Sequence, residues 1–350
     1  MNKHGGYFGT DKDMIDFSVN INPNGMPAGL KFDLVAALDG LGKYPDISGE
    51  PQREQIAGRL GVSADNIILG NGAIEIIYLY ARAFADAGRP ALIIAPTFNE
   101  YHRALLVAGW HSVTEIPFTE KDEFRINPEA LIKMINDVKP HTVFLCNPNN
   151  PTGVAYSPDY LGHIFERVGR DVHWFIDESF IDFSSKGSCI DVMIERDLPM
   201  VLLRSMTKFY GLPGLRVGYA VGREDIIDAL AGEQMPWSVN HLALSVIDTL
   251  LSDRKFSEQS KSFIKFERRR VFLELSKIKG IKVYPSSANF HLCALKSGTA
   301  AALNAGLNLC GINIRTCEDF AGLDEKYFRI AVKKREENDK LIAVLSNMVE

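Results

Sequence analysis

The chain has 350 residues, of which 46% are hydrophobic and 24% charged, so it can bury a sizeable core, which excludes a disordered polymer and a small disulfide scaffold. Its 39 Lys and Arg residues against 44 Asp and Glu give a formal charge of -5, and this balance, without a basic run, argues against binding to nucleic acid or to an anionic membrane. The sequence has no apolar stretch of the roughly 18–20 residues that span a bilayer, no apolar leader segment and five cysteines without a C-x-x-C pair, so we expect a cytoplasmic protein with reduced thiols.

The first predicted region is a stretch of about 45 residues, rich in Gly, Asn and Pro, which we expect to form an extended arm with turns. After it, helical spacing alternates with the short apolar runs that are typical of buried strands. Helices are predicted at 73–87, 99–108, 128–137 and 158–169. Strands are predicted at 91–95, 112–116, 142–146, 172–177, 200–204 and 217–221. This alternation predicts a parallel or mixed sheet covered by helices on both faces.

The C-terminal part is predicted to form a smaller α/β unit after the long helical stretches of residues 240–279, which are dense in Lys, Arg and Glu. Its strands are predicted near 281–284, 289–295 and 327–332. The fold class is therefore α/β, with a mostly parallel sheet between helices in a large domain and a smaller C-terminal α/β domain. The predicted boundaries are 1–45 for the arm, 46–250 for the large domain and 251–350 for the small domain.

Two loops beside predicted strands are candidates for ligand binding. Gly70-Asn71-Gly72-Ala73 opens a predicted helix, where small residues let backbone N–H groups reach a phosphate. It lacks the spacing of a dinucleotide fingerprint or a P-loop, and a structural loop is the alternative. Asn147–Gly153 follows a strand, and its amides can donate to a ring oxygen or a carboxylate, with a simple multiple turn as the alternative.

Two charged residues near strand ends are candidates for chemistry. Asp177 closes a mostly apolar strand, where a buried carboxylate is costly unless a cation or a donor pairs with it; a helix cap or surface residue is the alternative. Lys208 lies in an apolar, glycine-rich stretch, where its pKa can fall as a Schiff-base amine requires. Ser205 and Arg216 flank it and can bind a phosphate. Taken singly, Lys208 would more often be a solvated cation.

Together these features match one cofactor. They supply a phosphate-binding loop, an amide for a phenolic oxygen, a carboxylate for a protonated pyridine nitrogen and an amine for an aldehyde. These are the requirements of pyridoxal 5'-phosphate (PLP), which is held through its phosphate and its ring nitrogen. The sequence therefore predicts a PLP site. The histidines show no metal-ligand spacing, so no metal site is expected.

The order of these motifs resembles a known family. N-P-N-N-P-T-G, I-D-E and S-M-T-K-F-Y-G-L-P-G-L-R-V-G-Y resemble the fold-type I PLP-dependent aminotransferases, near histidinol-phosphate aminotransferase, and the resemblance covers nearly the whole chain. The chain is still more similar to the branch of L-threonine-O-3-phosphate decarboxylases, which serve cobalamin biosynthesis. The segments that carry this closer similarity are H-G-G at 4–6, D-F-S-V-N-I-N-P at 16–23, D-E-S-F-I-D-F at 177–183, Q-M-P-W-S-V-N at 234–240 and I-R-T-C at 314–317.

The resemblance implies roles around the cofactor ring. Lys208 would bond to the cofactor aldehyde, and Asp177 would pair with the pyridine N–H. Asn150 would donate to the ring hydroxyl oxygen. Phe98 would stack on the ring, although a Phe there is equally a core residue. Phe180 stands where aminotransferases of this group commonly have a Tyr that hydrogen-bonds the ring oxygen, which favours the decarboxylase branch.

The resemblance also implies how the phosphate and the substrate are bound. The cofactor phosphate would be bound by the backbone N–H groups of Gly72 and Ala73, by Ser205 and Arg216, and by Tyr44 of a second subunit. The site therefore implies a homodimer, with the arm packed on the small domain and on the partner. Substrate would be bound by Arg329 at the amino-acid carboxylate and by Arg315 at the substrate phosphate, with His4 and Asn20. A domain-interface salt bridge at Arg315 and an unanchored tail at His4 are the alternatives.

The expected function is PLP-dependent decarboxylation of O-phospho-L-threonine, or of O-phospho-L-serine, to an amino-alcohol phosphate and CO₂ for the cobamide nucleotide-loop linker. The alternative is an aminotransferase acting on histidinol phosphate or a related amino acid. A non-catalytic binding protein is a third reading, and the intact set of Lys208, Asp177 and Asn150 weighs against it.

Overall fold

The computed structural model describes residues 4–7, 9–10, 13–85 and 88–349. The strands are β1 (Ile15–Asp16), β2 (Ile67–Asn71), β3 (Ala91–Ala95), β4 (Val113–Pro117), β5 (Thr142–Cys146), β6 (His173–Asp177), β7 (Met200–Ser205), β8 (Val217–Gly222), β9 (Ile281–Val283), β10 (Phe290–Leu295), β11 (Ile312–Asn313), β12 (Arg315–Thr316) and β13 (Tyr327–Ala331). The helices are α1 (Leu30–Ala37), α2 (Glu50–Leu60), α3 (Ala73–Ala83), α4 (Glu100–Val107), α5 (Pro128–Val138), α6 (Pro158–Arg167), α7 (Ile190–Glu195), α8 (Met206–Phe209), α9 (Glu224–Gly232), α10 (His241–Ser245), α11 (Ile247–Ser252), α12 (Arg254–Leu275), α13 (Ala300–Leu309) and α14 (Arg335–Met348).

The large sheet has the strand order β2-β8-β7-β6-β5-β3-β4 in the described part of the chain. Strand β8 is antiparallel to both of its neighbours, and the other pairs are parallel. Consecutive residues of β5 alternate between two core clusters, with Val143 and Leu145 in one and Phe144 and Cys146 in the other. Both faces are therefore covered, which explains the continuous apolar runs. The predicted fold, with a mostly parallel sheet between helices, is confirmed.

A small antiparallel sheet follows in the C-terminal part, with the order β12-β13-β10-β9. Its register places Arg315 directly opposite Arg329. The N-terminal segment joins this region, because β1 pairs in parallel with β11 and Phe17 packs into the same core cluster as Phe328. A separate smaller sheet unit is thus confirmed, whereas the residue boundaries of the arm and the two domains stay a prediction.

Two predicted segments differ from the structure. The arm was expected to be extended, but residues 30–37 form α1 and Leu38–Gly40 a 3-10 turn. This helix buries Leu30 and exposes Phe32 and Val35, so its apolar residues do not mark one buried face. Residues 240–279 contain three helices, because the side chains of Asn240 and Asp253 cap the starts of α10 and α12 by accepting backbone hydrogen bonds.

Three further findings concern membrane helices, cysteines and metal-binding groups. Within the described residues, no helix is long and apolar enough to cross a membrane. All five cysteine thiols are free. The described part of the chain contains no group of three or more His, Cys, Asp or Glu side chains placed to hold a metal ion.

One carboxylate connects the large sheet to the small one. Glu120 lies in the 3-10 turn after β4, and its oxygens accept from Lys282 at 2.9 Å, Tyr284 at 2.7 Å, Tyr327 at 2.9 Å and Lys326 at 3.3 Å. These donors lower the pKa of Glu120 to about 2. Since they come from β9, β13 and the segments beside them, the carboxylate ties the small sheet to the edge of the large one.

We expect Glu120→Gln to lower the free energy of unfolding by about 1 kcal/mol at pH 7, because the charged acceptor is lost. A folded-state pKa below the ordinary 4.5 means that this contribution is present above about pH 4.5 and is lost as the pH falls towards 2. Urea unfolding of both proteins at several pH values measures the difference, which should shrink in acid. Glu129→Gln is the control, because Glu129 is 68% exposed in its pair with Arg167. Equal losses in both variants at every pH would contradict the prediction.

Candidate active site

Most of the predicted site residues line two adjoining cavities at the carboxyl ends of the parallel strands. The first has a volume of about 440 Å³, within the range of small-molecule sites, and the second about 200 Å³. The predicted residues that line the first are His4, Ala73, Phe98, Asn150, Asp177, Ser205, Lys208 and Arg216. Those that line the second are His4, Asn20, Phe98, Asn150, Lys208, Arg315 and Arg329. The shared residues show that the two cavities adjoin.

Asp177 ends β6 inside the first cavity and is 5% exposed. Its Oδ2 accepts the hydroxyl of Tyr101 at 2.5 Å, and its Oδ1 accepts the backbone N–H of Ser179 at 2.8 Å. Burial, followed by the Asp177 charge, holds the pKa of Tyr101 well above its ordinary value, so the phenol stays a donor. The carboxylate is therefore fixed at the cavity wall. The neighbouring Glu178 points away and pairs with Arg204 at 2.9 Å.

Lys208 lies on α8, directly after β7, and lines both cavities. Burial lowers the pKa of Lys208, while Asp177 opposes that shift and Arg216 and Arg329 add to it. Its Nζ lies 3.5 Å from the Thr207 hydroxyl. A lysine amine with a lowered pKa is the nucleophile that an aldehyde cofactor requires.

The start of α3 and the turn after α8 form one end of the first cavity. Gly72 has φ +75°, and a Cβ there would lie 2.3 Å from Nη2 of Arg216, so a larger residue would displace the guanidinium. Ala73 begins the helix, where backbone N–H groups favour an anion. The Ser205 hydroxyl lies 2.9 Å from that of Thr207. Together with Arg216, these donors form an end of the cavity suited to a phosphate.

The loop that carries Asn150 is held by its own side chains. Asn147 and Tyr156 exchange hydrogen bonds at 2.8 and 3.1 Å, and the Asn149 amide donates to Pro96 at 2.8 Å. The Asn150 oxygen accepts from the Arg329 guanidinium, which leaves its Nδ2 group as the part of the amide that can donate to a ligand. The loop is thus both a multiple turn and a support for Asn150.

Arg329 and Arg315 lie side by side on the small sheet and are 6% and 4% exposed. Arg329 donates to the backbone oxygen of Ser18 at 2.6 Å, and burial lowers its pKa to about 10. Arg315 pairs with both oxygens of Asp319, at 2.9 and 2.7 Å. Within the described chain, the buried Nε of Arg329 and Oδ1 of Asn20 have no hydrogen-bond partner, which is typical of groups that meet a ligand.

His4 and Tyr44, both predicted to belong to the site, lie in different places relative to the cavities. His4 lies at the cavity, with its Nε2 3.0 Å from the Glu100 carboxylate and its ring 6.1 Å from that of Phe98. Tyr44 lies outside both cavities, is 82% exposed and contacts the ring of Trp237 at 4.9 Å. Within one chain the structure therefore brings His4 to the site and leaves Tyr44 away from it.

Among the polar residues that line the first cavity, sequence reasoning did not predict Tyr78, Glu100 and Tyr101. Tyr101 holds Asp177, Tyr78 donates to Glu100 at 2.8 Å, and Glu100 itself is 2% exposed. Glu100 and Tyr101 occupy the first turn of α4, directly after Phe98, so the proximity to a predicted ring-stacking residue was the available signal. No such signal marked Tyr78, because it lies within an apolar helix.

Comparison with known proteins identifies the family. A family model described as aminotransferase class I and II matches residues 12–345. The chain belongs to the aminotransferase class I and II family. A member named threonine-phosphate decarboxylase, from Salmonella typhimurium, is 33% identical over 338 residues, which cover 96% of this chain and 91% of that protein. A histidinol-phosphate aminotransferase from Thermoanaerobacter pseudethanolicus is 36% identical over 306 residues, which cover 87% and 84%.

The fold comparison agrees with the sequence comparison. The crystal structure of L-threonine-O-3-phosphate decarboxylase from Porphyromonas gingivalis superposes on this chain with a TM-score of 0.84 at 28% identity, covering 95% of this chain and 98% of that one. The predicted resemblance to this aminotransferase class and its decarboxylase members is confirmed. The chain is a PLP-dependent enzyme, as the sequence predicted.

The residues present fit this cofactor. An amine of lowered pKa at Lys208, a fixed carboxylate at Asp177 and an amide at Asn150 surround the same cavity. Arg216 and the start of α3 close one end, where a Cβ at Gly72 would displace the Arg216 guanidinium. In this order, the amine, the carboxylate, the amide and the closed end match the aldehyde, the pyridine nitrogen, the ring hydroxyl and the phosphate of PLP.

We expect Tyr101→Phe to weaken PLP binding about tenfold, because Asp177 loses a charge-assisted donor. Titration of the apoprotein with PLP, followed by visible absorbance, measures the dissociation constant. Tyr80→Phe is the matched control, because Tyr80 is fully buried and its hydroxyl bonds to Thr142 at 2.8 Å outside the cavity. Equal effects in the two variants would contradict a specific role for Tyr101.

Proposed function

We propose that this enzyme decarboxylates O-phospho-L-threonine, giving an amino-alcohol phosphate and CO₂ for the linker of the cobamide nucleotide loop. The observation that carries the proposal is the pair of buried arginines on adjacent strands, Arg315 and Arg329, which line a cavity together with Lys208. Two guanidinium groups beside the reactive amine suit a substrate that carries both a phosphate and a carboxylate. The threonine-phosphate decarboxylases among the relatives support this assignment.

The chain's own residues bind and orient the substrate in this proposal. When bound, PLP supplies a conjugated ring that accepts the electrons of a bond broken at the substrate Cα. Arg329 would bind the carboxylate and Arg315 the phosphate, so that the remote anion sets which bond at Cα is directed for cleavage. Asn20 lines the same cavity, and the Nδ2 group of its amide is the part that can donate to an anion. A decarboxylase must place the bond to the carboxylate in that direction.

A proton must return to Cα after CO₂ leaves, and we propose that Lys208 supplies it. Its amine lines both cavities, whereas Tyr210 packs against the ring of Phe256, 6.0 Å away, and lies outside the residues that line them. Burial raises the pKa of Tyr210, which further disfavours it as an acid. We therefore assign the proton transfer to Lys208.

Phe180 supports decarboxylation over transamination. It lines both cavities and packs edge-on against Phe290 at 5.1 Å, with Lys208 Nζ 5.9 Å from its ring. A phenylalanine offers no hydroxyl to the cofactor ring oxygen. The second candidate, transamination of histidinol phosphate or a related amino acid, draws on the 36% identity to a histidinol-phosphate aminotransferase.

The deciding experiment is to incubate the PLP-loaded enzyme with O-phospho-L-threonine and to assay both CO₂ and keto acid. We expect CO₂ and an amino-alcohol phosphate, and we expect both to disappear in Lys208→Ala, whereas Lys277→Ala on the surface leaves the rate unchanged. Keto acid formed in the absence of CO₂ would show the aminotransferase instead. O-Phospho-L-serine lacks the methyl group of O-phospho-L-threonine, so assaying it in parallel measures what that group contributes to discrimination. One methyl group is worth roughly 1–3 kcal/mol in a fitted pocket.

We also propose that the enzyme acts as a homodimer in which Tyr44 reaches the partner's cofactor phosphate. Large apolar side chains are exposed along residues 32–47 and at 235–237, and the Tyr44–Trp237 contact joins the two segments. Contiguous exposed apolar surface is typical of a protein interface. The exposed residues are Phe32, Val35, Leu38, Leu41, Tyr44, Ile47, Met235 and Trp237. A cytoplasmic location remains a prediction from the free thiols.

We expect Leu41→Glu to convert the protein to a monomer with weakened PLP binding, because a charge is placed in the apolar interface. Light scattering with size-exclusion chromatography measures the mass. Phe266→Glu is the control, since Phe266 on α12 is 78% exposed and lies outside this surface. Tyr44→Phe should leave the mass unchanged and weaken PLP binding about tenfold. A monomeric unmodified protein with full activity would overturn the proposal.

A further inference from the structure

Glu100 is a buried carboxylate in the first cavity that the proposed chemistry does not use. It begins α4, and its side chain is 2% exposed. Its Oε2 accepts the Tyr78 hydroxyl at 2.8 Å and lies 3.3 Å from the Arg103 guanidinium, and its Oε1 lies 3.0 Å from Nε2 of His4. A carboxylate this deeply buried needs such partners. Two of them lie on α3 and α4, so the position of the carboxylate does not depend on His4 alone.

The N-terminal segment, residues 4–7, is anchored beside a substrate arginine. The Gly6 N–H donates to the Ser18 hydroxyl at 2.7 Å, and a Cβ at Gly5 would lie 2.3 Å from the Ser18 backbone oxygen, so the segment lies directly against Ser18. That same backbone oxygen accepts from the Arg329 guanidinium at 2.6 Å. The segment is therefore held on the small-sheet side of the cavities, next to the guanidinium assigned to the substrate carboxylate.

His4 carries the N-terminal segment across the cavities to α4. Its ring lines both cavities, with Lys208 in each and with Arg315 in the second. The side chain is 49% exposed, and its ring centroid lies 6.1 Å from that of Phe98, a contact without hydrogen-bond direction. The contact of Nε2 with Glu100 is directional, and it leaves Nδ1 as the ring nitrogen that can meet a ligand. Glu100 therefore orients the His4 ring.

We propose that Glu100 is a positioning residue, which orients the His4 imidazole so that this ring binds the substrate phosphate together with Arg315. In this complex the imidazole is doubly protonated, and it donates through Nε2 to Glu100 and through Nδ1 to the phosphate. Glu100 itself does not touch the substrate phosphate and acts through His4. Because the N-terminal segment is already tied to Ser18 and Glu100 in the free enzyme, less conformational entropy is lost when the substrate binds.

This inference rests on the proposed function, in which the substrate carries a phosphate. L-Threonine has the same amine and carboxylate but no phosphate, so it separates positioning of His4 from general support of the cavity. Loss of a positioning residue should weaken the binding of O-phospho-L-threonine and spare that of L-threonine. Loss of a residue that only supports the cavity should weaken the binding of both.

The test measures the binding of both amino acids to the PLP-loaded enzyme by the change in visible absorbance. We expect His4→Ala and Glu100→Gln each to weaken O-phospho-L-threonine binding about tenfold and L-threonine binding by no more than about twofold, since a neutral amide no longer compensates the doubly protonated ring. The double variant should bind no more weakly than His4→Ala, because Glu100 acts through His4. Glu115→Gln is the matched control, since Glu115 meets His102 at 2.8 Å outside both cavities.

Hydrogen exchange of the peptide that contains Gly6 gives a second measurement, which does not depend on cofactor absorbance. O-Phospho-L-threonine should slow this exchange in the unmodified enzyme more than L-threonine does, because the phosphate contact holds His4 and the segment in place. The difference should disappear in Glu100→Gln.

Three results would overturn the inference: equal losses of O-phospho-L-threonine and L-threonine binding in Glu100→Gln, losses that add in the double variant, or phosphate-dependent protection of the Gly6 peptide that persists in Glu100→Gln. An unmodified enzyme that binds the two amino acids equally would also contradict it. Failure of the proposed function is distinguishable, because it appears as a lack of CO₂ from O-phospho-L-threonine in the unmodified enzyme, whatever its preference between the two ligands.

Discussion

Burial of an amine and a carboxylate in the same cavity is the constraint on which the rest of the site depends. Burial lowers the pKa of Lys208, and the charge of Asp177 partly opposes this shift. The amine is therefore reactive while an opposite charge remains nearby. Asp177 in turn is fixed by the Tyr101 hydroxyl and the Ser179 N–H. The parallel strands β6 and β7 pair directly, which brings Asp177 and the segment before Lys208 to one edge of the sheet.

The positions of Arg315 and Arg329 depend on how the small sheet is held against the large one. The Arg329 guanidinium bonds to Asn150 of the large domain, and Asp319, the partner of Arg315, accepts from the Asn99 amide at 3.0 Å. Glu120 adds a third connection, to Tyr327, two residues before Arg329 on the same face of β13. The positions of the arginines are thus set by contacts between the sheets and not by their own strands alone.

The sequence predicted those features that are encoded locally. The strand at residues 142–146 has the predicted bounds because Thr142 and four continuous apolar residues sit between turn-forming segments. Asp177 ends a strand, and Asn150 and Lys208 follow strand ends within a few residues. Tyr101 could not be found this way, because it lies 76 residues from the carboxylate that it holds. Helix α1 was missed for a different reason: apart from Leu30, its apolar side chains are not buried, so no apolar face marked it.

The formal charge of -5 says little about this site, and the reason is visible in its contacts. Lys208, Arg315 and Arg329 gather at the cavities, but acidic side chains already compensate them, most directly Asp319 on both nitrogens of Arg315. Under the proposed function, a substrate phosphate shares Arg315 with Asp319 or displaces it, so part of its binding energy is spent on that exchange.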